Sequence, residues 1–107
     1  MNELSVESLD EALYSLVELC RRAHLDENFV LTCIEHGVVE VAGTTVEEWR
    51  FTNRARLQLQ KAWRLHHDLE VQPALLPLVL ELLGEIEALR EENRHLRLRL
   101  RHWEGLV

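Results

Sequence analysis

Two cysteine–histidine pairs have spacings at which helical side chains can share a metal ion. Cys20 and His24 are four residues apart, and Cys33 and His36 are three residues apart. Side chains at either spacing lie on one helix face, so each pair could in principle supply two ligands to Zn²⁺. A small buried thiol beside a surface imidazole explains each pair more simply. We therefore predict no metal site and no cofactor.

Other catalytic patterns are missing from the sequence. The four glycines are scattered along the chain, so no glycine-rich loop is available to hold a phosphate. Serine, histidine and aspartate occur, but in no nucleophile-elbow context. His66 and His67 are adjacent, about 100° apart on a helix, and cannot readily bind one metal ion together. The sequence therefore predicts a protein that is not an enzyme.

Acidic side chains are the remaining candidates for a functional surface. The chain has 107 residues with 19 acids against 12 bases, a formal net charge of −7. Residues 1–50 carry a net charge of −8 and residues 51–107 a net charge of +1, so the acidity belongs to the N-terminal half. These carboxylates either solvate a helical surface or form a patch for a basic partner. An acidic chain is a poor candidate for binding a polyanion.

The sequence also predicts where the protein works. No apolar run approaches the ~18 residues that a membrane-spanning helix needs. The first four residues, Met1-Asn2-Glu3-Leu4, lack the basic and apolar regions of a signal peptide. Cys20 and Cys33 fall in helical patterns rather than in a disulfide framework, which suits a reducing compartment. We expect a cytoplasmic protein without a membrane partner.

Two short helices must position the first acidic side chains. Ser15, with Glu18 three residues later, predicts a helix start, and that helix should end near His24. Asp26 can cap a second helix, which Gly37 ends in the left-handed conformation. A helix-turn-helix is therefore predicted. Its expected buried positions are Leu16, Leu19, Cys20, Ala23, Phe29, Val30, Cys33 and Ile34.

The residues before this motif give an ambiguous pattern. Residues 4–6 alternate like a short strand, and residues 8–11 resemble a capping box that would start a helix. Both interpretations stay open from the sequence.

A β-hairpin is predicted after the second helix. Residues 38–41 and 49–51 have the composition of strands, and residues 42–45 that of the turn between them. Trp49 and Phe51 are two residues apart, so both rings should point to the same face of a strand. They either fill the core beneath the hairpin or form a platform on which bases stack. A hairpin beside a helix-turn-helix is a winged-helix arrangement.

A third helix is predicted from a cap at Thr52 to about Leu69. Its core stripe should contain Leu59, Ala62 and Leu65, and also Leu69. The same helix carries a basic cluster, Arg54, Arg56, Lys61 and Arg64. Residues 71–73 then break the chain, so we divide it into a domain at residues 1–72 and a long helix at residues 73–107.

The last segment, from Ala74 to about Trp103, has a heptad pattern typical of a coiled coil. Its a positions are Val79, Ile86, Asn93 and Leu100, and its d positions are Leu75, Leu82, Leu89, Leu96 and Trp103. A second stripe of Leu76, Leu80 and Leu83 should pack on the first domain. We expect a homodimer through Val79, Leu82, Ile86, Leu89, Asn93, Leu96 and Leu100.

Charges beside the heptad core favour a parallel pair. A parallel arrangement places each g residue against the next e residue of the other copy, and all three such pairs are opposite in sign: Glu85–Arg90, Glu92–Arg97 and Arg99–Glu104. Asn93 at an a position would set the register. Each exposed pair contributes only ~0–1 kcal/mol, and the same charges could instead be solvated on a single helix.

The order of these parts resembles the MerR-type transcription regulators, and more closely the CbpM family of bacterial chaperone modulators. The residues that carry the resemblance are Leu19-Cys20, Asp26-Glu27, Glu35-His36-Gly37-Val38-Val39-Glu40, Trp49-Arg50-Phe51, Arg64-Leu65-His66-His67-Asp68-Leu69, Leu82-Leu83-Gly84-Glu85-Ile86 and Glu92-Asn93-Arg94. The resemblance implies a mainly α fold, a MerR-like winged helix-turn-helix with a small β-hairpin wing and a long C-terminal dimerisation helix.

The CbpM resemblance also implies a partner. Members of that family bind the J-domain of the DnaJ-like co-chaperone CbpA, and they inhibit its co-chaperone and DNA-binding activities. An acidic competitor fits the basic helix that a J-domain offers to its Hsp70. The candidate contacts in this sequence are Glu18, Asp26, Glu27, Glu35, Glu47 and Glu48, with Trp49 as an apolar anchor.

Two other functions remain open from the sequence. A MerR-like DNA-binding regulator would use the basic cluster Arg54, Arg56, Lys61 and Arg64 on the third helix. However, the second helix and the predicted wing carry carboxylates where a DNA-reading relative carries bases, which would reverse the gain from counterion release. The other alternative is a structural module that pairs only through its C-terminal coil.

Overall fold

The computed structural model describes residues 13–106 of the chain. Within these residues four α-helices follow one another: α1 at Leu16–Ala23, α2 at Glu27–Glu35, α3 at Asn53–Leu69 and α4 at Leu76–Leu106. Short 3₁₀ turns at Val46–Glu48 and Pro73–Leu75 precede α3 and α4. The strand and capping box predicted at residues 4–6 and 8–11 lie outside the described residues.

The helix-turn-helix forms with the predicted caps. Ser15 caps α1 through a reciprocal capping box with Glu18, and the backbone at His24 turns left-handed with a φ of 55°. Asp26 caps α2 by accepting a hydrogen bond from the Phe29 amide at 3.3 Å. Gly37 has a φ of +76°, a conformation that glycine adopts without the steric cost of a Cβ. The start and the end predicted for each of these two helices are therefore confirmed.

The predicted β-hairpin wing is wrong. Between α2 and α3 the described residues contain only isolated β-bridges, which pair Ala42 with Arg50 and Tyr14 with Phe51. The Val38 amide donates to the Cys33 carbonyl at 2.9 Å and so serves the end of α2 rather than a strand ladder. Val38 and Val39 are both buried, whereas consecutive strand residues point to opposite faces. Side-chain packing, rather than hydrogen bonding between strands, therefore determines the conformation of this loop.

Phe51 is the centre of the first unit. Its backbone exchanges two hydrogen bonds of 2.8 Å with Tyr14, which joins the segment before α1 to the segment before α3. Its side chain is completely buried. The other fully buried large side chains of this unit come from every one of its helices: Leu19, Val30, Cys33, Leu59 and Leu76.

The predicted stripe of α3 is confirmed in part. Thr52 caps the helix by accepting from the Ala55 amide at 3.0 Å. Leu59 and Ala62 are completely buried and Leu65 is half-buried. Leu69 is 69% exposed, so its assignment to the core is wrong. It is the last residue of α3, and the next residue, Glu70, is left-handed with a φ of 56°, so the chain turns away there.

The chain divides into two compact units, residues up to Pro77 and residues from Leu78 onward. The second consists of the greater part of α4, a helix of 31 residues that begins two residues later than predicted and continues to Leu106. Pro77 is the second residue of this helix, where a missing backbone amide costs little. Within residues 13–106, no helix is both long and apolar enough to cross a membrane.

Candidate partner-binding surfaces

Glu18 has a structural role in α1. Its Oε1 accepts a hydrogen bond from the Ser15 amide at 3.1 Å, and its own amide donates to Ser15 Oγ at 3.2 Å. These hydrogen bonds, and the nearby guanidinium groups of Arg22 and Arg50, hold the pKa of Glu18 below its ordinary value. The carboxylate therefore stays ionised, but it is partly engaged within its own helix.

Asp26 and Glu48 also stabilise local structure. Asp26 caps α2, as described above. The Oε2 atom of Glu48 accepts from the amide of Thr44 at 3.3 Å and from its hydroxyl at 3.0 Å, which closes the loop before Trp49. The sequence predicted the cap at Asp26, but it assigned Glu48 only to a partner.

Glu27, Glu35 and Glu47 are the acidic candidates without such a role. All three are exposed, and within the described residues they make no side-chain hydrogen bond or ion pair. Glu27 begins α2 and Glu35 ends it, whereas Glu47 lies in the 3₁₀ turn Val46–Glu48. Free and exposed carboxylates are the groups that a basic partner can engage without breaking an internal hydrogen bond.

Arg50 is a residue of this surface that sequence reasoning missed. Its Nη1 donates to the carbonyl oxygens of Glu47 at 3.1 Å and Trp49 at 2.7 Å, and its charge acts on the carboxylate of Glu18. Arg50 is therefore near both α1 and the 3₁₀ turn, and it places a positive charge among the acids. Because Arg50 follows Trp49 directly, its position was visible in the sequence, but its contacts depend on the irregular loop.

Trp49 has the exposure expected of an apolar anchor. Its indole is half-buried, and its ring centre lies 6.4 Å from that of Phe51 in an edge-to-face arrangement. The two rings therefore share one side, as their spacing predicted. Phe51 is completely buried, which rules out a platform on which bases stack on both rings.

The two cysteines behave as packing groups. Cys33 is completely buried, and that burial raises the pKa of its thiol to about 12. Burial also raises the pKa of Cys20, with smaller contributions from the charges of Glu27 and Asp26. Both thiols are free. In the part of the chain that the structure describes, no three metal-binding side chains come close enough to hold an ion.

The basic cluster of α3 is less open than the sequence indicated. Arg54 and Arg64 are exposed, but Arg56 and Lys61 are half-buried. The guanidinium of Arg56 donates to Asn53 Oδ1 at 3.4 Å and to Gln60 Oε1 at 3.5 Å, so it is held along its own helix. Two free cations remain from the predicted set, which is a small surface for a nucleic acid.

A shallow groove of about 320 Å³ borders α3 on the first unit. Val38, Val39 and Ala55 form its apolar floor, with Glu40 and Arg54 at its edges. The sequence gives no indication of this groove, because Val38 and Val39 have the composition of a strand.

Most of the predicted dimerisation face of α4 is exposed in the single chain, whereas Val79 is half-buried. The exposure of its other apolar residues runs from 43% at Ile86 to 65% at Trp103. The other exposed apolar residues at heptad core positions are Leu82, Leu89, Leu96 and Leu100. A row of large apolar side chains along four helical heptads is costly to leave in water.

Comparison with known proteins places this architecture in a family. Residues 14–98 match the family model described as "MerR HTH family regulatory protein". The chain is 44% identical over 82 residues to "Chaperone modulatory protein CbpM" of Pseudomonas entomophila, an alignment that covers 77% of this chain and 81% of the relative. The protein of the same name from Pseudomonas putida strain W619 is 43% identical over the same shares.

A more distant relative has the same name. "Chaperone modulatory protein CbpM" of Escherichia coli O1:K1 is 31% identical over 87 residues, covering 81% of this chain and 86% of the relative. These matches are to regulatory and modulatory proteins, not to enzymes. The helix-turn-helix, the long C-terminal helix and these alignments over most of the sequence lead to one conclusion: the chain belongs to the CbpM family of MerR-type helix-turn-helix proteins.

Proposed function

We propose that this protein is a chaperone modulator that binds the J-domain of a CbpA-type co-chaperone through exposed acidic side chains of its first unit. The observation that carries the proposal is the set of exposed carboxylates without internal partners, Glu27, Glu35 and Glu47, in a unit whose Trp49 ring is also half-exposed. Relatives named for chaperone modulation support it.

Inhibition would follow from competition for one surface. A J-domain presents a basic helix to its Hsp70, and carboxylates that cover this helix exclude the Hsp70 from it. The same carboxylates would also mask the positive charge with which a co-chaperone binds DNA. The acids that cap helices, Glu18 and Asp26, would add to the local potential without having to leave their hydrogen bonds.

Charge-reversal variants test this proposal. Glu27→Lys, Glu35→Lys and Glu47→Lys should each weaken J-domain binding by about two- to fivefold, and by more at low salt than at high salt. Titration calorimetry with the isolated J-domain of a CbpA-type co-chaperone measures the effect. Glu81→Lys, an equally exposed acid of α4, is the matched control and should leave the affinity unchanged.

Two results would contradict the proposal. One is the absence of binding between the wild-type protein and the J-domain at moderate salt. The other is an equal loss of affinity for Glu81→Lys and for the three variants of the first unit. An equal loss would mean that the J-domain responds only to net charge rather than to a defined surface.

The proposal includes a homodimer in the cytoplasm. The exposed apolar face of α4 supports pairing with a second copy. Two free thiols, rather than a disulfide, support a reducing compartment.

Duplex DNA binding is a second candidate, favoured by the description of the family model as a regulatory helix-turn-helix protein and by the exposed side chains of Arg54 and Arg64. Against it, α2 contains no lysine or arginine and exposes Glu27 and Glu35. A mobility-shift experiment at low salt decides between the two: a sequence-preferring shift supports the second candidate, and no shift removes it.

A further inference from the structure

The charge of α4 changes sign at Asn93. Residues 81–92 carry five acids and one base, whereas residues 93–103 carry four arginines and no acid. We propose that the outer side of the second stretch binds an acidic segment of another protein, one that also offers an apolar side chain. This inference goes beyond the modulation of a J-domain and uses none of the residues assigned to it.

The end of the helix does not account for these positive charges. A helix C-terminus attracts basic side chains, but the attraction falls off within the last turn. Because α4 ends at Leu106, Arg94 and Arg97 lie more than two turns before that end. Their placement therefore points to something outside their own helix.

The basic side chains surround one leucine, Leu98, on the side of α4 away from the heptad core. We call Leu98 and its neighbours the basic surface, and these neighbours are Arg94, His95, Arg101 and His102. At 100° per residue all four lie within about 60° of Leu98 around the helix axis, whereas Leu96 and Leu100 of the heptad core lie about 160° from it. The basic surface therefore stays accessible whether or not a second chain covers the heptad core.

The side chains of the basic surface are available to a partner. All of them are exposed, and Leu98 is 55% exposed. Within residues 13–106, Arg101 and the adjoining Arg97 make no hydrogen bond or ion pair. Arg94 pairs with Glu91 at 2.8 Å, an exposed contact that contributes only ~0–1 kcal/mol. A carboxylate can therefore reach these guanidinium groups without breaking a strong internal contact.

The number and type of these cations favour carboxylates over a nucleic acid. A planar guanidinium can bind a carboxylate through two parallel hydrogen bonds. A protein that gains strongly from counterion release neutralises about six to ten phosphates, and Arg94, Arg97 and Arg101 together can neutralise about three. These three residues extend over only about 10 Å of the helix. A short acidic segment of a protein fits that length.

Leu98 gives the basic surface an apolar centre. A single exposed leucine is ordinary on a protein surface, but this one lies in the middle of an acid-free group of cations. Protein–protein interfaces combine an apolar centre with a polar rim in this way. An acidic protein segment with an apolar side chain can satisfy both parts, whereas a phosphate backbone offers nothing to the leucine.

Fluorescence anisotropy with the full chain and two labelled peptides tests the proposal. The probe is a peptide of glutamate with leucine at every fourth position, and the matched peptide has serine in place of each leucine. The wild-type chain should bind the leucine-containing probe at low salt, about threefold or more tightly than the serine-containing one. The affinity should fall as salt is added, because exposed ion pairs are screened.

Two variants locate the site on the basic surface. Arg101→Glu and Leu98→Ser should each weaken probe binding by about three- to tenfold, because the first turns attraction into repulsion and the second removes the apolar contact. Arg64→Glu changes the net charge of the chain equally at an exposed position of α3. It is the matched control and should keep the wild-type affinity. Circular dichroism should show the same helix content for all of these chains.

Four results would overturn the proposal. The first is no binding of the leucine-containing probe by the wild type at low salt. The second is an equal loss for Arg64→Glu and Arg101→Glu, which would mean that the probe responds only to net charge. The third is equal affinity for the two peptides, which removes the role of Leu98. The fourth is tighter binding of an oligothymidylate of equal charge, which would assign the surface to a nucleic acid.

These outcomes are independent of the function proposed above. Leu98→Ser and Arg101→Glu leave every acidic side chain of the first unit unchanged, so both variants should bind the J-domain as the wild type does. Failure of probe binding with J-domain binding intact contradicts only the basic surface. Failure of J-domain binding with probe binding intact contradicts only the proposed modulation.

Discussion

At the scale of single residues, the acidic side chains of the first unit divide into two groups. Glu18, Asp26 and Glu48 accept hydrogen bonds that hold α1, α2 and the loop before Trp49. Glu27, Glu35 and Glu47 make no such bond within the described residues. The first group stabilises local structure and the second has no internal hydrogen bond to give up, although the sequence presents all six as equal.

Cys33 gives a prediction at this scale. Its burial raises the pKa of the thiol from an ordinary 9.0 to about 12. Between these pH values the unfolded chain releases a proton that the folded chain keeps, so the free energy of unfolding should fall by up to about 1.4 kcal/mol per pH unit as the pH rises from 9 towards 12. Below pH 9 this contribution is constant.

Urea unfolding of the wild type and of Cys33→Ala measures this effect. The variant should be less stable at neutral pH, because it leaves a small cavity, but its stability should decline less steeply above pH 9. Cys20→Ala is the control and should keep most of the alkaline slope. Equal slopes for the wild type and Cys33→Ala would show that the Cys33 thiol does not titrate with unfolding.

At the scale of elements, helix ends determine most of the fold of the first unit. Ser15, Asp26 and Thr52 begin the first three helices through side-chain caps, each of which satisfies an amide that the helix leaves free. Left-handed residues end them, His24 after α1 and Glu70 after α3. The loop between α2 and α3 has no comparable pattern of caps. Its conformation depends on Gly43, Glu48 and Arg50.

Three glycine substitutions distinguish these elements. Gly43→Ala should be the most destabilising, because a Cβ there would lie 2.7 Å from the Glu48 carbonyl oxygen and the φ is +113°. Gly37→Ala meets open space and should cost only about 1 kcal/mol for its positive φ. Gly84→Ala, in the helical second unit, also meets open space and should stabilise α4 by about 0.5–1 kcal/mol.

Thermal unfolding followed by circular dichroism checks the order of the three. The expected midpoints rise from Gly43→Ala through Gly37→Ala to Gly84→Ala, which should lie above the wild type. A Gly43→Ala midpoint equal to that of Gly37→Ala would show that the loop adjusts around the new methyl group at little cost.

At the scale of the whole molecule, the proposed partner binding and the proposed self-association use different units. The proposed J-domain surface lies wholly in the first unit, and the proposed dimerisation face extends along the second. This division distinguishes a modulator from a module that functions only through its coil. The two activities should therefore be separable by changes in α4 alone.

Truncation after Leu89 tests that separation. The shortened chain keeps all residues of the first unit and loses Asn93, Leu96, Leu100 and Trp103 of the apolar face. It should be a monomer in sedimentation equilibrium, while its affinity for a single J-domain stays within about twofold of the wild type, because no proposed contact is removed. Loss of J-domain binding would contradict the division and favour a module that depends on the coil.

The sequence by itself predicted the local features of this protein. These local features depend on residues that are close in the chain, so their spacing indicates them directly. They are the caps at Ser15, Asp26 and Thr52, the stop at Gly37 and the heptads of α4. The net charge of the N-terminal half is likewise a sum that folding does not change. The family followed from the order of these parts.

Tertiary structure decided the features that depend on distant residues. Val38 and Val39 have strand composition, but the Val38 amide is used by the end of α2 and both side chains are buried, so no hairpin forms. Leu69 fits a helical stripe, yet it is exposed at the end of α3. Which carboxylates are free depends on hydrogen bonds such as those from Thr44 to Glu48. Spacing along the chain does not determine such packing, because it depends on which surfaces meet.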